Sequence, residues 1–382
     1  MSLGSPAINT SYTAAWARVR AHAPEILLYG AVRLVGLCVL AAMAHRVNVT
    51  GLLGKWDGAW YLGIARHGYD TSLTYRADGS LINTNIVFFP LYPLLIRALG
   101  WPFGLLHAAL LISWVSGVLG AVAIRAVGEQ LHDRRTGVLL AVFWGTVPTA
   151  LVESMAYTES LLTALLALGL LFLLRGQWVA AGVVSLFAGL THPTGLALAA
   201  AVDLCALLAI VRRADGWRPW VGGILAPLGT LGYVTWAGFE LGRWDGYSFM
   251  QGHGWHNAPS VTGTWHEVQL ILTRSQQLGY YVALAVVLLA ILSAAALTWG
   301  RPRPPLAVLV FTWASVAAAL WSGPVYFHSK ARFLVPVFPL LLPLAVPLAR
   351  QRLRTIITLL GTGAAASAWY GGYLLTIWTR SP

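Results

Sequence analysis

The sequence predicts an all-α polytopic membrane protein: a bundle of about 11 transmembrane helices with an interfacial helix in its first outer loop. Three observations predict it. Of 382 residues, 58% are hydrophobic and only 10% charged, with a mean hydropathy of +0.69, whereas an ordinary soluble domain carries about 25% charged residues. Apolar stretches approaching the ~20 residues that a hydrocarbon core requires recur along the chain. The basic residues gather in every second short loop between those stretches, and so on one side.

The expected spans are 25–44, 103–126, 137–152, 158–175, 177–193, 194–211, 219–240, 279–300, 306–323, 333–349 and 355–375. No internal repeat or low-complexity linker divides them, so residues 1–382 read as a single membrane domain. The first 24 residues include Arg18, Arg20 and His22 but no cleavage-site pattern, which makes the first span a retained helix, not a signal peptide. Cys38 and Cys205 both fall in apolar segments, leaving no disulfide framework and no CxxC metal site.

With the N-terminus cytoplasmic, the inner loops hold Arg18 and Arg20, then Arg125, Arg134 and Arg135, then Arg175. Arg212, Arg213 and Arg218 follow, then Arg301 and Arg303, and finally Arg350, Arg352 and Arg354. Positive charge in short inner loops sets topology, so the formal charge of +12 needs no nucleic-acid partner. The expected location is the plasma membrane. The opposite, extracytoplasmic face then receives every polar, irregular segment: 45–102, 153–159, 191–195, 241–278 and 329–332. The chemistry is expected there.

The first outer loop opens with Lys55-Trp56-Asp57-Gly58-Ala59-Trp60-Tyr61. Trp60, Ile64 and His67, with Trp56 a turn earlier, suit an amphipathic helix along the interface. Asp57 lies near its start, where the macrodipole favours a carboxylate. A carboxylate here reads as a general base, a cation ligand or a solvated loop residue, and it could also cap the helix, a role compatible with function. Downstream, Phe88-Phe89-Pro90-Leu91-Tyr92-Pro93 is a stiff segment with few backbone donors, read from physics alone as an aromatic interface anchor.

Glu153 and Glu159 flank a short outer connection, where carboxylates are costly and commonly functional; Glu159 also suits a helix start. Lys330 and Arg332, with His328, form a cationic cluster that fits a phosphate, Arg as a fork and Lys as a point charge, or lipid headgroups. Arg33 and Asp203, both inside spans, are candidates for a mutual ion pair. His253 and His256 are too sparse for zinc, which takes three or four closely spaced ligands. Asp57, Glu153 and Glu159 are the acids that could converge on a divalent cation.

Lys55-Trp56-Asp57-Gly58, Ile64-Ala65, His67-Gly68-Tyr69 and Phe88-Phe89-Pro90-Leu91-Tyr92-Pro93 together resemble the phosphatidylinositol-glycan class V mannosyltransferases of the GT-C superfamily. Ala156-Tyr157-Thr158-Glu159-Ser160-Leu161 is similar to that family's Tyr-Ser/Thr-Glu-Ser/Thr-Leu turn, and Ala331-Arg332-Phe333-Leu334 to its late Arg-Phe-Leu element. The matches run in family order over about residues 55–340. The chain departs at Thr191-His192-Pro193-Thr194-Gly195, where the family tends to an Arg/Ser-Asn-Gly turn, and over the outer loop 241–278.

The resemblance implies a GT-C-like bundle that transfers mannose, with inversion, from a polyprenyl-phosphate-mannose donor to a lipid or glycolipid acceptor. It implies Asp57 as general base and Lys330, Arg332 and His192 at the donor phosphate. It implies substrate contacts from Trp56, Trp60, Tyr61, Phe89, Tyr157 and Glu159. No GxGxxG fingerprint for a nucleotide follows a strand. The alternatives are a membrane carrier or flippase for a lipid-linked or anionic substrate, and an envelope scaffold. Transporters often carry internal repeats and broken midplane helices, whereas here the unusual residues crowd one face.

Overall fold

Apolar residues continue around most of these helices, as expected where lipid replaces water outside and neighbouring helices fill the inside. The computed structural model describes residues 8–45 and 47–382, with side chains from residue 22 onward; Arg18 and Arg20 lie outside the described side chains. The helices are α1 (Ile8–Ala44), α2 (Val49–Leu53), α3 (Asp57–His67), α4 (Leu91–Phe103), α5 (Leu105–Leu131) and α6 (Arg134–Trp144). They continue as α7 (Glu159–Leu174), α8 (Trp178–Thr191), α9 (Leu196–Val211), α10 (Arg218–Glu240), α11 (Gly246–Phe249) and α12 (Val261–Thr273). The last are α13 (Leu278–Trp299), α14 (Leu306–Trp321), α15 (Lys330–Phe333), α16 (Leu342–Leu348) and α17 (Leu353–Thr376). Among the described residues the only strand-like pairing is an isolated bridge between Tyr75 and Leu81. The protein is an all-α membrane bundle.

Nine of these helices, α1, α5, α7 to α10, α13, α14 and α17, fall on expected spans, α1 and α5 running longer. Among the described residues four segments are long and apolar enough to cross a membrane unaided: His22–Ala44, Leu105–Leu131, Pro193–Val211 and Leu278–Trp299. The shorter apolar helices α7, α8 and α14 are under the ~30 Å of a hydrocarbon core.

Two expected spans are not continuous helices. Span 137–152 stops at Trp144, before Pro148, and a short 3-10 turn, Ala150–Ser154, follows. Span 333–349 is broken into Pro324–Phe333 and Phe338–Leu348, bent by 69°. Pro336, Pro339, Pro343 and Pro347 remove backbone donors there. The freed carbonyls find side-chain partners: Trp144 Nε1 donates to Val335 O at 3.1 Å, and Thr149 Oγ1 to Ala331 O at 3.3 Å. Irregular backbone at this depth persists because protein groups satisfy it.

Arg33 does not pair with Asp203. Its Nε lies 3.7 Å from Glu153 Oε2, its Nη2 donates to Ser154 Oγ at 2.8 Å, and Tyr29 OH donates to Glu153 at 2.9 Å. α1 is thereby tied to the 150–154 turn, and the Glu153 carboxyl is engaged by Arg33 and Tyr29. Elsewhere the helices close on glycines. A Cβ on Gly182 of α8 would sit 2.5 Å from the carbonyl oxygen of Gly222 in α10, so only glycine permits this crossing.

Candidate active site

α3 begins at Asp57, and the cap position belongs to Trp56, whose φ is +52° and whose side chain makes no capping hydrogen bond. Asp57 is therefore not the helix cap. The buried face of α3 is Gly58, Tyr61, Ile64 and Ala65, not the expected stripe of Trp60, Ile64 and His67. A Cβ on Gly58 would lie 3.3 Å from both Ala156 Cβ and Ala156 O. The missing side chain lets α3 abut the 155–159 turn, and Ala156 N donates to Leu53 O at 2.9 Å. This contact brings Asp57 beside Glu159.

Arg332 joins them from the broken helix. Its Nη1 is 2.8 Å from Asp57 Oδ2, with Arg332 6% and Asp57 25% exposed. Its Nε is 3.2 Å from Glu159 Oε1, an ion pair whose angle falls short of a hydrogen bond. The guanidinium lies 5.0 Å over the rings of Tyr157 and Phe333, and Nη1 also donates to Ser381 Oγ at 3.2 Å. One guanidinium is thus shared by two carboxyl groups. Among the described residues no group of three or more His, Cys, Asp or Glu converges on a metal position. Of the three acids that could have converged on a cation, Asp57 and Glu159 are bridged by Arg332, and Glu153 faces Arg33.

Asp57 and Arg332 line a cavity of about 630 Å³, within the range of small-ligand sites. Tyr61, Phe88, Phe89 and Trp255 make an aromatic wall; Tyr247, Ser248, Gln251 and Asn257 add a polar one. His192, Pro193 and Thr194 face them, with Trp321, Tyr326 and Phe333 completing the enclosure. α8 ends, α9 begins and α14 ends at this cavity, so it opens at one end of the bundle.

The 84–89 segment is built into this wall, not spread along an interface: Phe88 is 8%, Phe89 1% and Tyr92 0% exposed. Its carbonyls are taken by remote donors. Tyr233 OH donates to Ile86 O at 3.0 Å and Phe88 O at 2.8 Å, Tyr69 OH to Phe88 O at 2.9 Å, and Trp255 Nε1 to Thr84 O at 3.0 Å. Burial, and next the charge of Asp57, push the Tyr61 phenol well above its ordinary pKa, so it stays protonated.

Of the expected site residues, Asp57, Tyr61, Phe89, His192 and Arg332 line the cavity. Thr194 N donates to His192 Nδ1 at 3.3 Å, which places a neutral imidazole's proton on Nε2. Glu159 and Tyr157 stand behind Arg332, holding it. Trp60 supports the wall by stacking on Phe88 at 5.8 Å. Trp56 packs against the main core instead. Lys330, expected at the phosphate, is 0% exposed. Its Nζ donates to Ala319 O, Leu320 O and Ser322 O at 3.2, 3.0 and 2.6 Å, capping the end of α14. A buried ammonium takes the carbonyls that a helix end leaves unpaired.

The sequence reading missed the whole 247–259 wall and Ser381. No motif marks either; only the π-helical turn Met250–Gly254, an irregularity frequent at functional sites, flags the former.

The fold is that of the GT-C membrane glycosyltransferases, and the chain is an integral membrane protein. It is similar to the crystal structure of ArnT from Cupriavidus metallidurans bound to undecaprenyl phosphate, with TM-score 0.54, 20% identity, and coverage of 89% of this chain and 63% of that one. The Archaeoglobus fulgidus oligosaccharyltransferase tethered with an acceptor peptide aligns with TM-score 0.52 and 15% identity, over 94% of this chain and 56% of that chain. The same enzyme in complex with Zn and sulfate gives TM-score 0.51 and 15% identity, over 93% and 53%. This chain spans little more than half the length of these structures. No protein-family model and no curated protein sequence matches it.

Proposed function

We propose that the protein is an inverting glycosyltransferase that moves mannose from a polyprenyl-phosphate-mannose donor to a lipid or glycolipid acceptor. The observation carrying this reading is Asp57, a partly exposed carboxylate held by Arg332 at the floor of an aromatic cavity. A lipid donor and a lipid acceptor both require a site built from membrane helices, and the GT-C neighbours share that build. Mannose rests on the sequence resemblance to the class V mannosyltransferases. So does the assignment to the extracytoplasmic face of the plasma membrane, together with the distribution of arginines.

The acceptor hydroxyl oxygen attacks the anomeric carbon from the face opposite the phosphate. Its proton passes to Asp57, and the electrons of the breaking carbon–oxygen bond go to the polyprenyl phosphate. As Asp57 is protonated, the Asp57–Glu159–Arg332 trio loses a negative charge while the phosphate gains one. Arg332 then has charge to offer the leaving group through Nη2, with the Nε2–H of His192 as second donor. Tyr61 and Phe89 face the sugar or acceptor, with Trp60 behind them.

The test is transfer by purified protein in nanodiscs, with radiolabelled polyprenyl-phosphate-mannose and a crude lipid extract, Asp57→Asn in parallel. The expected result is a new labelled lipid with wild type only, and an unchanged melting temperature in the variant. Near-normal turnover by Asp57→Asn removes Asp57 as base. Donor crossing vesicles without any transfer supports a carrier.

A further inference from the structure

A groove on the flank of the bundle, between α9 and α10, lies apart from the cavity. It encloses about 250 Å³ and contains Asp203. Its rim is Leu207, Trp220 and Ile224, 55%, 57% and 62% exposed, apolar groups that in a membrane bundle face lipid.

The groove offers two hydrogen-bond acceptors. Asp203 Oδ1 is shielded and has no hydrogen-bond partner. Pro227 lies inside α10 and has no N–H, so the carbonyl of Gly223, one turn earlier, loses its helical partner. Gly223 belongs to the same groove, and a Cβ there would be 3.7 Å from Asp203 Oδ1. No cationic side chain lines it. A carboxyl with an unpartnered oxygen, in a groove whose rim faces lipid and beside a carbonyl that lacks its helical donor, is costly and calls for a donor, best a cation.

Depth selects the donor's source. α9 starts beside the cavity and ends at Val211, at the bundle end that carries Arg212, Arg213 and Arg218. Asp203 lies eight residues short of that end, about 12 Å along the axis, which is below lipid headgroups. A long basic side chain on a spanning helix reaches that depth with its stem in apolar surroundings. Gly223 faces Ala206 and Asp203 across the helix pair, so no side chain of α10 fills the space over the carboxyl at that level.

We propose that this groove docks a single transmembrane helix of a partner protein that bears a lysine or arginine at the level of Asp203. The proposal is independent of the transferase reading. It is tested with the full-length protein in phosphatidylcholine liposomes and a synthetic Leu/Ala spanning helix carrying one lysine at that level, association being read by fluorescence energy transfer. The lysine helix is expected to bind about tenfold or more tightly than its all-apolar counterpart, and Asp203→Asn to erase the difference. Equal binding of the two helices, or a preference that survives Asp203→Asn, overturns it. Should Asp203→Asn fail to fold, Gly223→Leu decides: it is expected to block the lysine helix, and an undiminished preference overturns the proposal. Loss of the preference on adding phosphatidylethanolamine to wild type would identify a headgroup amine as the occupant and overturn the helix.

Discussion

Arg332 is where single residues matter most. It is shared by Asp57 and Glu159, so Arg332→Ala leaves two carboxylates facing each other with no cation between them. Removing one partner of a buried pair costs about 3–5 kcal/mol. A fall in melting temperature together with loss of transfer is expected. Arg332→Ala with Glu159→Gln is expected to recover much of the stability and none of the activity. A single Arg332→Ala variant as stable as wild type would show that the ion pairs contribute nothing. Lys330 behaves differently, because its ammonium is occupied by the end of α14. Lys330→Met is expected to lower stability by about 1–3 kcal/mol with the donor KM unchanged. A raised donor KM at wild-type melting temperature would return Lys330 to the phosphate site.

At the level of elements, the site depends on α3 abutting the 155–159 turn. Gly58→Val inserts a branched side chain where even a Cβ would lie 3.3 Å from Ala156 O. Such overpacking costs typically about 1–3 kcal/mol, and here it also separates Asp57 from Arg332. Transfer is expected to fall at least tenfold while the bundle stays folded, measured as kcat beside circular dichroism. Unchanged kcat would mean that α3 can shift without cost to the chemistry. Much of this level was legible: nine helices sit on predicted spans, and the motifs at Asp57, Tyr157–Glu159 and Arg332 proved to be neighbours. The breaks were less so. Averaged over a span, the hydropathy of 333–349 hides four prolines, and α4 and α12, of 13 residues each, are too short to read as spans.

For the whole molecule, the open end of the cavity and the arginine-rich loops occupy opposite ends of the bundle. In a background with Cys38→Ala and Cys205→Ala, Ser248→Cys at the cavity is expected to react with a membrane-impermeant maleimide on intact cells. Arg213→Cys is expected to react only after permeabilisation. The reverse pattern would invert the topology and place the chemistry in the cytoplasm.

Composition and spacing by themselves determined that the chain lives in lipid, that it is helical, and that its unusual residues share one end. Those properties are local or additive: apolar length, charge placement and short motifs survive being read one segment at a time. Which charges meet was decided only by the tertiary structure. Arg33 pairs with Glu153 and not Asp203, Lys330 turns into a helix end, and Arg332 divides itself between Asp57 and Glu159. Each outcome depends on which buried group finds a partner once distant helices pack. In a low-dielectric interior an unpaired charge is too costly to leave to chance, yet nothing in linear order names the partner.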